Sequence, residues 1–416
     1  MEREQVLITG IGVMLPNTKS VIDFWENISL GRSQVGPLTR FEGLPVHAAA
    51  EIKDFDHRAY LPGLSESHAR KYSREILIAM SAAAEARRDA GLTEGDVDPR
   101  RLSVVYSSSR GPLAWWRDAV RGDDPGAFGD KGAMFRGLPG CPASISAIYL
   151  GAQGLVTTVS NACVGGHQAI GLALRELRSG ASDVVLVGGH EFPILPEVAK
   201  CYLALGDGVL SSERDDPTRA VRPYNADREG FALGEGSVVL VLERRSHAIR
   251  RGATGYATVL AHRSINEADH PTTMDLSGKV TAGVIHDVLG EAGRKPDEVD
   301  YFCAHGTATR YNDLAESRAL RALYPDRRAA ALPPISSNKP IYGHTFGMAG
   351  VINAAATSLM VRHQRLAPTI NLTRPDPECD HDHVAEGSRP AGVGLAVSLS
   401  FAFGSQTSVL ALGAPS

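Results

Sequence analysis

Apolar residues fall into two patterns along this chain. Short unbroken runs bounded by glycine or polar residues recur at 6–8 (VLI), 183–189 (DVVLVGG), 235–243 (EGSVVLVLE) and 301–304, as in strands buried on both faces between helices. Other stretches carry apolar residues at helical spacing. Over 70–90, Ile76, Met80 and Ala83 share a face and Gly91 stands just past the end, which predicts an amphipathic helix with a basic start. In VGGHQAIGLALRELRSG, Ile170, Leu174 and Leu177 share a face before Gly180, directly after the β-branched stretch LVTTVSNAC. Alternating strands and helices predict an α/β protein in which Cys163 lies at a strand-to-helix turn.

The pattern also repeats. FALG followed by SVVLVL at 231–242 matches FAFG followed by SVLAL at 401–412, and a small-residue helix dotted with glycine follows both Cys163 and His344. Two half-domains of similar βα architecture are expected, 1–250 and 251–416, meeting near the basic segment 244–252. They would bring Cys163 and His344 to equivalent helix starts that face each other.

Composition narrows the class. A chain of 416 residues, 43% hydrophobic and with 43 glycines, is long enough for a large core with many tight connections. A net charge of -4 gives no general reason to expect nucleic acid or an anionic membrane as partner. Residues 1–10 lack a basic stretch followed by an apolar run, and nothing approaches the roughly 18 apolar residues of a membrane span, so a cytoplasmic protein is expected. Five scattered cysteines, an odd number, do not form a disulfide framework. Gly10 and Gly12 suggest a dinucleotide loop, but Leu15 occupies the place of its third glycine and Pro16 follows.

Three residues then stand out. A helix start lowers a thiol's pKa, and the N–H of Cys163 could form half of an oxyanion hole; the alternative is a small buried residue before a helix. His305 ends an apolar strand at a Gly-Thr turn, either open to a cleft or tying down the turn. His344 opens another helix among small residues, with Lys339 five positions earlier, a residue that could equally lie on the surface.

With VLITGIGV, RKYS, DAG, VSNACVGG, GFALGEGSVVLVLE, HGTATRYNDLAE, SSNKPIYGHTFGMAG, PTINLTRPDPECD and SFAFG in this order, nearly the whole chain resembles a β-ketoacyl synthase of the elongating kind, from fatty-acid or type II polyketide synthesis, in the thiolase-like superfamily. The resemblance implies a five-layered αβαβα fold built from two duplicated βα half-domains. It implies that Cys163 holds the acyl group and that His305 and His344 stabilise the enolate formed when a malonyl extender loses CO2. The backbone N–H of Phe403 would be the second oxyanion donor, with Phe403 and Gly404 gating access, and Lys339 would pair with Glu316. Arg70 and Lys71 are the implied docking residues for an acidic acyl carrier protein. No cofactor or metal is implied, because substrates arrive on the carrier's phosphopantetheine. The implied assembly is a homodimer, or a heterodimer with a homologous chain-length factor.

The competing reading is a chain-length-factor-like partner with little activity of its own, but such partners usually lack the cysteine. An initiating synthase would have asparagine at His344, and a thiolase a second cysteine near 401–404. The chain departs from the common pattern at Asn161, Val164, Arg310 and Ser405–Gln406, all of which are expected to shape the pocket wall or gating loop. The dense set Cys379, Asp380, His381, Asp382 and His383 alternates sides in an extended chain and is not expected to bind metal. Arg244, Arg245, Arg250 and Arg251 are expected to form a solvated face.

Overall fold

In the computed structural model, which describes residues 4–123, 126–129, 131–268 and 270–415, the first apolar run forms strand β1 (Val6–Met14), buried along its whole length. Nine more strands join it: β2 Leu102–Ser107, β3 Val156–Val159, β4 Val184–Glu191, β5 Gly236–Arg244, β6 Ala257–Asn266, β7 Tyr301–Cys303, β8 Ile335–Ser336, β9 Leu395–Ala402 and β10 Gln406–Gly413. Their spatial order is β8-β7-β9-β10-β6-β1-β5-β4-β2-β3. Counted outward from the β1–β6 junction, each half places its strands in the chain order first, fifth, fourth, second, third. The directions also match, with two antiparallel pairings followed by two parallel ones. The FALG and FAFG repeats each lead into the fifth strand of their half, so the repetition in sequence is a repetition of topology.

Helices complete the layers. α1 (Arg74–Asp89) and α2 (Cys141–Leu150) cover the outer face of the first half, while α4 (Lys279–Glu291) and α5 (Arg310–Leu323) cover that of the second. Between the halves run α3 (Gly165–Arg178) and α6 (Ala349–His363), which contact strands of both and supply much of the largest apolar cluster. This is the expected αβαβα stack. The central helices cross almost backbone to backbone: a Cβ on Gly166 would lie 2.9 Å from the Val351 nitrogen, and one on Gly350 would lie 2.6 Å from that of His167. Those glycines bring the two helix starts together.

Two local expectations are corrected. The helix expected over 70–90 begins at Arg74, because the Ser73 hydroxyl accepts the N–H of Ile76 and caps it there, leaving Arg70 and Lys71 exposed in the preceding turn. Arg251 does not lie on a solvated face: it forms a bidentate pair with the buried carboxylate of Glu243 at 2.7 and 2.6 Å. No helix among the described residues is long and apolar enough to cross a membrane.

Candidate active site

Cys163 sits where the strand-to-helix reading places it, in a tight turn (Ala162–Val164) between β3 and α3. The turn puts Ala162 at φ +44°, a conformation that costs an alanine on the order of 1–2 kcal/mol. The same device precedes α6, where Phe346 has φ +42° in the turn Phe346–Met348. His344 lies just upstream of that turn, and its Nε2 is 3.2 Å from Cys163 Sγ. The Ser400 hydroxyl fixes the cysteine backbone by donating to its carbonyl at 2.9 Å.

His305 arrives from the end of β7. Its ring centroid is 5.4 Å from that of His344, and donor atoms of Cys163, His305 and His344 lie within 4.8 Å of one another. All three residues are buried. The Glu316 carboxylate accepts the N–H groups of His305 and Gly306 at 2.6 and 2.9 Å and the Tyr224 hydroxyl at 2.9 Å, so it clamps the turn that carries His305. Lys339 approaches from the other side, donating to the His305 carbonyl and lying 3.4 Å from its Nδ1. The expected Lys339–Glu316 ion pair is absent among the described residues, because each group is committed to a different part of His305. Burial pushes the Glu316 carboxyl up and the Lys339 ammonium down.

Burial holds both imidazoles well below their usual pKa, assisted by the Lys339 charge, so they are neutral. Their hydrogen bonds assign the tautomers. His344 Nδ1 accepts the Phe346 N–H at 3.2 Å and His305 Nδ1 faces the Lys339 ammonium, which places the remaining proton on Nε2 in each ring. The site therefore offers two neutral N–H donors beside one sulfur. Such a pair can stabilise an oxyanion without first losing a proton.

The thiol differs from the sequence expectation. Burial outweighs its position before a helix and pushes Cys163 up to about 12, with Lys339 and Arg110 pulling in the opposite direction. Thiolate is the reactive form, so alkylation of Cys163 by iodoacetamide is expected to accelerate about tenfold per pH unit from pH 7 to 9. A plateau at or below pH 7, measured by labelled-peptide mass spectrometry, would contradict this.

Other residues frame the site. The Phe346 ring stacks on His344 at 4.4 Å, Tyr202 on Phe346 at 5.2 Å, and Phe403 on Tyr202 at 6.3 Å, forming a ladder from the 403–405 turn to the histidine. Phe403 is 44% exposed. The Gly404 N–H donates to the Pro271 carbonyl at 2.7 Å, so it is not an oxyanion donor. Two of the unusual residues meet: Asn161 and Gln406 exchange amide hydrogen bonds at 3.1 and 3.0 Å, tying the nucleophile turn to the base of the 403–405 turn. Ser405 fastens that turn to the backbone of His270, Val164 is buried, and Arg310 is exposed at the start of α5.

Sequence reasoning missed Arg110, Glu191 and Tyr202. The Glu191 carboxylate, pushed up by burial but offset by the Arg110 charge, accepts the N–H groups of Ser109 and Gly347 at 2.8 and 3.0 Å. Its signal was a carboxylate that closes, directly after His190, the apolar run Val184–Gly189. The donors of the 379–383 segment diverge: the Cys379 thiol faces the Asp313 carbonyl, His381 Nε2 the Ser317 carbonyl, His383 Nε2 the Cys379 carbonyl, and Asp382 pairs with Arg389. Cys163, His305 and His344 are the one set among the described residues close enough together to grip a metal ion.

Comparison with known proteins agrees with this geometry. The sequence model of the β-ketoacyl synthase N-terminal domain matches residues 3–248, and that of the C-terminal domain matches residues 256–373. The chain is 36% identical to the ketoacyl synthase alpha subunit of the tetracenomycin polyketide synthase of Streptomyces glaucescens, over 99% of this chain and 97% of that one. It is 33% identical to 3-oxoacyl-[acyl-carrier-protein] synthase 2 of a Synechocystis species, over 99% and 98%. Among solved structures, a type II polyketide ketosynthase in complex with its acyl carrier protein superposes with a TM-score of 0.89 at 30% identity, covering 99% of this chain and 100% of that one. The ishigamide ketosynthase/chain length factor gives 0.88 at 31%, covering 99% of each. The chain belongs to the β-ketoacyl synthase family of thiolase-like, carbon-carbon bond-forming acyltransferases.

Proposed function

We propose that this chain extends acyl chains by decarboxylative Claisen condensation with a malonyl-acyl carrier protein, as an elongating ketosynthase of a type II polyketide pathway. The observation that carries the reading is the 3.2 Å approach of His344 Nε2 to Cys163 Sγ, with His305 beside it and both rings neutral. Cys163 attacks the thioester of the acyl carrier; the carrier thiol leaves with the proton and the acyl group stays on sulfur. The malonyl thioester then loses CO2, and the electron pair of the broken bond becomes an enolate whose oxygen takes the Nε2–H bonds of His305 and His344. Enolate carbon attacks the acyl-cysteine carbonyl, and collapse of the tetrahedral adduct returns the thiolate. During that step the oxyanion is held by the N–H groups of Cys163 and Phe403, while the Phe403–Gly404 turn gates the two substrates. Lys339 and Glu316 position His305.

Residues 1–250 are proposed to form the half that carries the nucleophile and 251–416 the half that carries both histidines. The carrier docks at Arg70 and Lys71, whose charges suit an acidic protein. A homologous chain, either a second copy or a chain-length factor, covers the open edge at β3, where all four residues are partly exposed, and the apolar surface of Trp116, Val120, Met134 and Ile148. Retention of Cys163 disfavours a purely chain-shaping subunit.

The expected product, from acyl- and malonyl-carrier proteins with the chain alone or with its co-encoded homologue, is a β-ketoacyl-carrier protein two carbons longer, with one CO2 released per product. Malonyl consumption without any elongated product in both mixtures, read by intact mass, would contradict the proposal.

A further inference from the structure

A buried acid outside the active site has no partner. Glu75, in the first turn of α1, is 9% exposed, and its carboxyl makes no hydrogen bond or ion pair among the described residues. It lines a cavity of about 220 Å³ that none of Cys163, His305 and His344 borders. Trp115, Phe192, Ile194 and Leu195 form the apolar part of the wall, and Arg40, Arg74, Asp118 and Glu235 are its other charged groups. At roughly 30 Å³ per water, the space suits a molecule of about seven or eight heavy atoms.

Those other charges are already matched. Arg40 and Arg74 both face Glu235, at 2.7 and 3.6 Å, and the Arg74 guanidinium also donates to the Ile52 carbonyl at 2.5 Å. Arg117 holds Asp118 at 2.6 Å, and nearby Glu191 lies 3.6 Å from Arg110. Burial pushes the Glu75 carboxyl up to about 8; the Glu235 and Glu191 carboxylates add to this, Arg74 opposes it and Asp118 adds again. At pH 7 the acid is therefore mostly protonated, uncharged among acidic neighbours. A neutral guest would gain a single hydrogen bond there. An ammonium ion would gain a charge-assisted pair with the ionised carboxylate, offset the repulsion from the surrounding carboxylates, and be attracted to the aromatic side chains of Trp115 and Phe192. An anion would be repelled, since both arginines are engaged with Glu235.

We infer that this cavity binds a small organic ammonium ion with an apolar body, its nitrogen paired with Glu75 and its body packed against Trp115, Phe192, Ile194 and Leu195. The inference does not rest on the condensing reading. Binding moves one proton: the Glu75 carboxyl gives it up to solvent as the ammonium arrives, and no other covalent bond changes.

Benzylamine fits the cavity's size, and benzyl alcohol and benzoate are its neutral and anionic counterparts. Titrated into the full-length protein at pH 7 in a calorimeter, benzylamine is expected to bind at least about tenfold more tightly than either. It should also release close to one proton per amine bound, read from the difference in heat between phosphate and Tris buffers. Glu75→Gln keeps an uncharged side chain of the same size, so a thermal melt should show the fold intact while affinity falls about tenfold or more and proton release falls to zero. Ala114→Leu narrows the cavity, leaves Glu75 in place and should also weaken binding, so it serves as the test if Glu75→Gln fails to fold. Equal binding of benzyl alcohol, amine binding without proton release, or amine binding unchanged in these variants would overturn the inference. So would the absence of amine binding up to roughly 10 mM.

Discussion

The Cys163→Ala variant is expected to release no elongated product above a background on the order of 10^4-fold below wild type, yet to keep decarboxylating malonyl-carrier protein. The first half of this expectation follows from the cysteine's role as acyl carrier: without sulfur, no acyl group waits for the enolate. The second follows from the site's separation of tasks. The His305 and His344 Nε2–H groups owe their orientation to Lys339, Glu316 and the Phe346 N–H, none of which involves sulfur. Removing a buried sulfhydryl leaves a small cavity but no unpaired charge, so the fold should survive with a loss of about 1–2 kcal/mol. The checks are product mass, CO2 release and a thermal melt on the same preparation. Loss of both reactions in a folded variant would show that the histidines cannot act without the thiol.

His344→Ala should produce the opposite split. It deletes one of two donors that meet the developing enolate, and loss of one such donor costs about 10^2–10^3 in rate. Malonyl decarboxylation should fall by that factor, whereas acylation of Cys163 should fall by less, because its oxyanion is held by backbone N–H groups. Since burial keeps both rings neutral, the histidines should add no pH dependence to decarboxylation between pH 6 and 8, and any change there should come from Glu316, pushed up to about 7, and Lys339, pushed down to about 8, which hold His305. Below the depressed pKa the ring would be charged; above it the neutral donor persists, so raising pH through this window changes nothing in the histidines. Separate assays of adduct formation and CO2 release, each as a function of pH, test both statements. Equal loss of the two activities would refute the division of labour.

Much of this site was legible in one dimension because its parts sit at junctions. Cys163 follows a β-branched stretch and precedes a glycine-dotted helix, and His344 precedes another, so each change of periodicity marked a position that the fold then brought to its centre. The glycines that let α3 and α6 cross, Gly166 and Gly350, were also visible, although the reason for them was not. Depth was invisible: the helix start argued for an acidic thiol, and only the three-dimensional burial of Cys163 reverses the sign. Long-range pairing was invisible as well. Asn161 and Gln406 were flagged as separate departures, and nothing local indicates that they bond to each other across 245 positions. The expected Lys339–Glu316 pairing takes an indirect form that the sequence could not show: the two residues grip opposite sides of the His305 segment without a direct ion pair, and the Glu316 charge still favours the Lys339 ammonium.

The central claim is that Cys163 alone carries the acyl group. Incubating the full-length protein with an acyl-carrier protein, then measuring intact mass and mapping the modified peptide, tests it most directly. The account predicts one acyl adduct, on the peptide containing Cys163, that disappears in Cys163→Ala. An adduct that persists in that variant, or maps to another residue, would contradict it.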